Sequence, residues 1–455
     1  KLNVVVKILL LNVLIYSVYS LTSGAFGITH LPDLLSDIKT KEKPKSAFEV
    51  IEEGDSTELE KDTLTRAQQL AIQKADTSLI SFGDFSKLFE SFLSHEYEST
   101  AVHIAYFGDS MIEGDLLTSD LRKKMQTRFG GAGVGFMPIT SPSASYRTTI
   151  THTYNNKWTN FHLNKKPPKK YSLGISGYTF LGDKLASAKF IKNKADKPYQ
   201  SAHLFYKGHS DALLKLVTDS ESFELRIQPN IESSYFTLKK MKPFGKLQIE
   251  VQQGAPILYG INLESGPGIY VDNFSFRGHS GTMLTSIPKD NYQTYSEALN
   301  CKLVILHYGL NVVGHELGDY SWYKRGIKKA IRHIKSSFPN ATILLVSVSD
   351  KSYRSNNGYE TEPDIPLFVN LQAKIAIEEG ICFWNLYKSM GGYNSMKRWV
   401  EEEKPRLANL DYTHLNHQGA KRAADIFYQW LIKELESYKK INQDVQKPVK
   451  SNHPA

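Results

Sequence analysis

The stretch Val102-His103-Ile104-Ala105-Tyr106-Phe107 runs straight into Gly108-Asp109-Ser110, after which Leu117, Leu121, Met125 and Phe129 recur at every fourth position up to Gly130-Gly131. The first six residues read as a buried core strand, and Gly, Asp and Ser, all turn formers, end it. The four-residue apolar spacing predicts a helix with one buried face, stopped by the glycine pair. The unit is therefore strand, turn, helix, with a serine at the hinge.

The same alternation returns after Gly266. Leu303-Val304-Ile305-Leu306 is a strand opening onto Tyr308-Gly309-Leu310-Asn311, and Thr342 to Val348 and Ile381 to Leu386 are two more. Helices are expected at about 322–337, 367–379 and 417–436. Apolar strands alternating with helices imply an α/β fold with a parallel sheet covered on both faces. From about Ser145 to Ser265 the character differs: short alternating segments such as Phe223-Glu224-Leu225-Arg226-Ile227 and Lys246-Leu247-Gln248-Ile249-Glu250-Val251 lie between Gly, Asp, Ser and Pro clusters. That spacing predicts an inserted all-β sandwich. The expected divisions are 1–25 signal peptide or anchor, 26–95 linker or extension, 96–144 and 269–438 the two parts of the α/β domain, 145–268 the insertion, and 439–455 a basic tail.

With 455 residues, 41% apolar and 23% charged, the chain has the composition of a folded globular protein. The net charge of +9 sits largely in lysine-rich edges such as Lys165 to Lys170 and the tail, which read as solvated surface; attraction to an anionic envelope or polysaccharide is the other reading. No nucleic-acid motif is present. Lys1 and Lys7, the apolar run Ile8 to Ile15 and the small residues near Ser23 have the order of an export signal, with an uncleaved membrane anchor as the alternative. The only two cysteines, Cys301 and Cys382, adjoin strand-like runs and read as buried thiols; a single bridge between them stays open. There is no metal motif and no phosphate loop, so no cofactor is expected.

Four weak signatures carry the chemistry: Gly108-Asp109-Ser110, Gly278, Gly309-Leu310-Asn311 and Asp411-Tyr412-Thr413-His414. Singly, each is an ordinary turn, loop glycine or helix cap. Jointly, and placed after strands or before the closing helix, they supply a whole set of roles. Ser110 is the nucleophile, His414 its base and Asp411 the carboxylate that orients the imidazole. The N–H groups of Ser110 and Gly278 and the side-chain amide of Asn311 would form the oxyanion hole.

These blocks resemble the SGNH (GDSL-type) esterase/acyltransferase superfamily, over roughly Val102–Met137 and Asp272–Tyr428. The resemblance implies a flavodoxin-like three-layer sandwich, and the β insertion resembles the carbohydrate-binding-like module of the peptidoglycan O-acetylesterase branch. Together with the export-like segment, it implies an exported, periplasmic or envelope-associated serine esterase acting on an acylated polysaccharide or peptidoglycan-like glycan, with membrane contact only through an N-terminal anchor. An O-acyltransferase with the same residues, or a glycan-binding protein with a vestigial site, are the alternatives. Met111 replaces the leucine of the signature, and Val312 stands where many members carry an acid. Asp109 is expected to brace the nucleophile turn, Asp115 to cap a helix (or contact substrate), and His279 and His307 to be structural, with pocket lining as the alternative. The aromatics Tyr171, Tyr178, Phe180, Tyr206, Tyr235 and Phe236 read chiefly as core, with sugar stacking as the alternative.

Overall fold

The computed structural model describes residues 80–445, apart from 231, 239–241 and 357. The expected export segment and the linker before residue 80 lie outside the described residues, as does most of the basic tail. All described residues belong to the compact unit Leu64–Ala455.

The chain runs β1 (Ser81–Phe82), α1 (Ser86–Leu93), β2 (Ala101–Gly108), α2 (Thr118–Phe129) and β3 (Ala132–Met137). Ten antiparallel strands follow: β4 (Ile150–Tyr154), β5 (Trp158–His162), β6 (Tyr178–Gly182), β7 (Ser187–Lys192), β8 (Ser201–Lys207), β9 (Ala212–Thr218), β10 (Ser222–Ile227), β11 (Ser233–Leu238), β12 (Lys246–Gln253) and β13 (Ile257–Ser265). The α/β pattern resumes with β14 (Gly268–Ser275), α3 (Lys289–Leu299), β15 (Cys301–His307), α4 (Ser321–Ser337), β16 (Thr342–Val346), the hairpin β17 (Ser352–Ser355) and β18 (Gly358–Thr361), and α5 (Asp364–Glu379). Last come β19 (Cys382–Trp384), α6 (Leu386–Ser389), α7 (Ser395–Glu401) and α8 (His417–Val445).

The main sheet has the order β1-β19-β16-β15-β2-β14 and is parallel except for the edge strand β1. From β2 the chain steps to one side to reach β14, then crosses back, and every later step goes the other way. Right-handed crossovers therefore put α2 on one face and α3, α4 and α5 on the other. The contacts agree: α8 packs on α2 and α1, whereas α4 packs on α3 and α5. Such a reversal of direction opens a crevice at the carboxyl end of the strand where it occurs, here β2. Ser275 of β14 and His307 of β15 pair with Gly108 from either side, so the loops carrying residues 110, 278 and 311 leave the sheet at one height.

The α/β unit takes in residues before 96. Ser81 and Phe82 pair with β19, and Leu88, Phe89 and Phe92 of α1 are buried in the core shared with the main sheet. The antiparallel part also reaches back before 145, because β3 joins β13 in one of its two sheets, β11-β8-β13-β6-β5. Glycines hide this strand in the sequence. Gly133 and Gly135 have positive φ, and a Cβ would lie 2.4 Å from the Leu263 carbonyl oxygen and 2.3 Å from Asp272 Oδ1, respectively. The second sheet, β10-β9-β12-β7-β4, shares an apolar core with the first, including Phe190, Leu214, Ile249, Leu204 and Ile261.

Asp272 of β14 joins the two parts. Buried completely, it accepts from Phe136 N–H at 2.7 Å, Asn262 Nδ2 at 2.9 Å and Tyr295 Oη, and pairs with His103 Nδ1 at 2.6 Å. Glu264 faces the other ring nitrogen of His103 at 3.2 Å. Burial alone would lower the His103 pKa, but Asp272 and Glu264 outweigh it and raise it to about 10. Asp272→Asn is expected to destabilise the protein by about 3–5 kcal/mol at neutral pH, measured by urea unfolding, because the buried His103 charge loses the nearer of its two carboxylate partners. The sign in pH follows from the raised folded value: this support is complete below the ordinary pKa of about 6.5 and is lost as pH rises through about 10.

Candidate active site

Asp109 and Ser110 turn the chain out of β2. Ser110 begins a short 3-10 turn, Ser110–Asp115, and Asp109 caps it by accepting from Met111 N–H at 3.0 Å. His414 sits on the loop between α7 and α8. Its Nε2 lies 3.1 Å from Ser110 Oγ, joining positions 304 residues apart in sequence. Its Nδ1 lies 2.8 Å from Asp411 Oδ2, while Asp411 Oδ1 accepts the backbone N–H groups of Thr413 and His414, each at 3.0 Å. A carboxylate only accepts, so Nδ1 carries the proton and Nε2 is left as the acceptor facing the hydroxyl. Burial would raise the Asp411 pKa, but the hydrogen bonds from His414 and Thr413 outweigh it and hold the carboxyl below its ordinary value. The structure thus brings Ser110, His414 and Asp411 together.

Asn311 lies beside them. Its Nδ2 donates to Asp109 Oδ2 at 2.9 Å and points to the His279 carbonyl at 3.5 Å, the weak limit of a hydrogen bond. One amide hydrogen is therefore fixed by Asp109, and the other is available to a substrate oxygen. Asp109 is buried, which pushes its pKa up to about 6 against the opposing pull of Met111 N–H, His414 and Asn311. Its brace thus extends beyond its own turn to the amide of Asn311.

Gly278 adjoins His279, whose carbonyl touches Asn311, so its loop borders the same space. Its φ is +73°, and a Cβ would meet nothing within 4 Å. Backbone conformation therefore requires glycine here, and the space beside it is open. Among the described residues, neither the Ser110 N–H nor the Gly278 N–H has a hydrogen-bond acceptor. Asn311→Ala is expected to lower kcat for a simple ester by about 10²- to 10³-fold with KM little changed, as read by steady-state kinetics with 4-nitrophenyl acetate.

The remaining sequence candidates fall into place. Asp115 caps no helix; it is buried at φ +71° and accepts from both Nη atoms of Arg122 at 2.8 Å and from Thr118 and Thr149. The Arg122 and Arg147 guanidiniums hold its carboxyl well below the usual range despite burial. His279 and His307 are buried, and burial pushes each down to about 4. Cys301 and Cys382 are buried and free. Of the six insertion aromatics, Phe180 is core and Tyr235 is exposed. A feature missed from sequence is Tyr359 of β18, which stacks on Tyr412 with centroids 3.5 Å apart and anchors the Asp411–His414 loop to the hairpin. No local signal links residues 359 and 412.

No family model matches the sequence, and no curated protein matches it either. Among solved structures, a peptidoglycan O-acetylesterase superposes with a TM-score of 0.67 at 20% identity, over 79% of this chain and 100% of that one. An acetyl xylan esterase (TM-score 0.26, 19% identity, 35% of this chain and 79% of that one) is a looser match. So is a family two carbohydrate esterase from Clostridium thermocellum in complex with cellohexaose (TM-score 0.26, 11% identity, 63% and 99%). In fold, the chain resembles the peptidoglycan O-acetylesterase.

Proposed function

We propose that the chain is an exported serine esterase that removes O-acetyl or other short acyl groups from a cell-envelope or extracellular polysaccharide. The observation that carries this reading is the hydrogen-bonded relay Asp411–His414–Ser110, at 2.8 and 3.1 Å, at the carboxyl edge of the main sheet. Ser110 Oγ attacks the ester carbon as its proton passes to His414 Nε2, and the imidazolium is stabilised by Asp411. The new oxyanion is met by the N–H groups of Ser110 and Gly278 and the Asn311 amide. The C–O bond to the sugar breaks, and His414 returns the proton to the departing hydroxyl. Water, deprotonated by the same histidine, then releases the acid and restores Ser110. The substrate class is supported by the fold shared with a peptidoglycan O-acetylesterase, and export by the order of charged, apolar and small residues in 1–25.

The test is to incubate the full chain with O-acetylated polysaccharides and follow free acetate. Release that requires Ser110 supports the reading; intact esters on every glycan tried, with 4-nitrophenyl acetate also untouched, contradict it. Adding an unacetylated glycan separates hydrolysis from transfer, since only a transferase moves the acyl group onto it.

A further inference from the structure

Beside the serine loop lies an open recess. Glu113, Arg147, His152, Ser176, Tyr178 and Arg277 line it. Glu113 follows Ser110 by three residues and Arg277 precedes Gly278, so the recess is lined by the loops that carry the candidate nucleophile and an oxyanion donor.

Asp115 is engaged by Arg122 through both Nη atoms at 2.8 Å, and Arg147 Nη2 also lies 3.0 Å away. Two buried guanidiniums thus share this carboxylate, with Asp272 attracting both, and the Arg147 side chain is only 8% exposed. Burial pulls the Arg147 pKa below its ordinary value despite Asp115, and Arg122 adds to the pull. A guanidinium stays charged regardless, so Arg147 favours an anionic ligand at any atom it leaves unused. Arg147 Nε donates to Thr149 Oγ1 and Nη2 to the Val134 carbonyl, leaving Nη1 for a ligand. Arg277, exposed at the mouth, stands 3.9 Å from Glu113.

Two further groups are unsatisfied. His152 Nε2 lies 3.0 Å from the Ile139 carbonyl and must donate to it, so Nδ1 is an acceptor, buried without a partner among the described residues. Ser176 Oγ is likewise buried without a partner. A buried polar atom left unpaired is costly, and hydroxyls of a sugar satisfy both kinds of group.

We propose that this recess is a specificity subsite for a sugar unit bearing a carboxylate, with Arg147 taking the carboxylate and His152 Nδ1 and Ser176 Oγ taking hydroxyls. The inference rests on the esterase reading above and adds the class of polysaccharide, an acidic one.

The test compares kcat/KM of the full chain on O-acetylated polygalacturonate and on an O-acetylated neutral xylan, with 4-nitrophenyl acetate reporting the ester chemistry separately. Wild type is expected to favour the acidic glycan, and Arg147→Gln to lower the acidic-to-neutral ratio about tenfold or more, as for a lost charge-assisted hydrogen bond. Equal rates on the two glycans in wild type, or an unchanged ratio in the variant, overturn the proposal while leaving esterase activity standing. Should Arg147→Gln fail to fold, the wild-type ratio and the binding comparison that follows decide. Binding of galacturonate oligomers to Ser110→Ala by calorimetry is independent of turnover: tighter binding than neutral xylo-oligomers supports the subsite, and equal or weaker binding overturns it.

Discussion

Ser110→Ala is expected to lower kcat/KM for ester hydrolysis by about 10⁴- to 10⁶-fold, with the melting temperature unchanged within about a degree or two. The turn around residue 110 is held by Asp109, whose capping bond goes to Met111 N–H, and by the ladder of β2, so removing one oxygen leaves the backbone in place. The deleted Oγ makes its hydrogen bond to His414. Loss of a nucleophile ends the covalent route, and only the residual effect of binding and the oxyanion donors remains. Acetate release or 4-nitrophenolate absorbance measures the loss, and a thermal melt checks the fold.

Asp411→Asn is expected to cost about 10³- to 10⁴-fold in kcat. The reason lies in how the side chain is held. Asp411 Oδ1 accepts two backbone N–H groups, at 3.0 Å each, so in the variant the amide oxygen must occupy that position. The amide nitrogen then faces His414 Nδ1, where the carboxylate stood at 2.8 Å. Two donors cannot face each other, so the imidazole shifts its proton to Nε2 and can no longer accept one from Ser110. A variant that keeps more than a tenth of wild-type kcat would show that the carboxylate does not set the tautomer.

The β2–turn–α2 unit was legible because its code is local: an apolar run, three turn formers, then apolar residues at every fourth position, realised as Ala101–Gly108 and Thr118–Phe129. Ser110, Gly278, Asn311 and His414 could be picked out because each follows a strand or precedes a helix whose own pattern is strong. β3 was not legible, because Gly133 and Gly135 serve tight backbone approaches and erase the strand alternation. The role of Asp115 was also hidden. A cap is read from the next three residues, whereas Arg147 and Thr149 reach Asp115 from beyond the turn of the fold. The same is true of Tyr359 under Tyr412. Contacts between remote segments leave no periodicity to read.

Covalent labelling with a fluorophosphonate, mapped by peptide mass spectrometry, tests the central claim most directly. One adduct on Ser110 is expected, formed rapidly in wild type and suppressed in both His414→Ala and Asp411→Asn. An adduct on another residue, or labelling of Ser110 that is indifferent to His414, would contradict the serine–histidine relay.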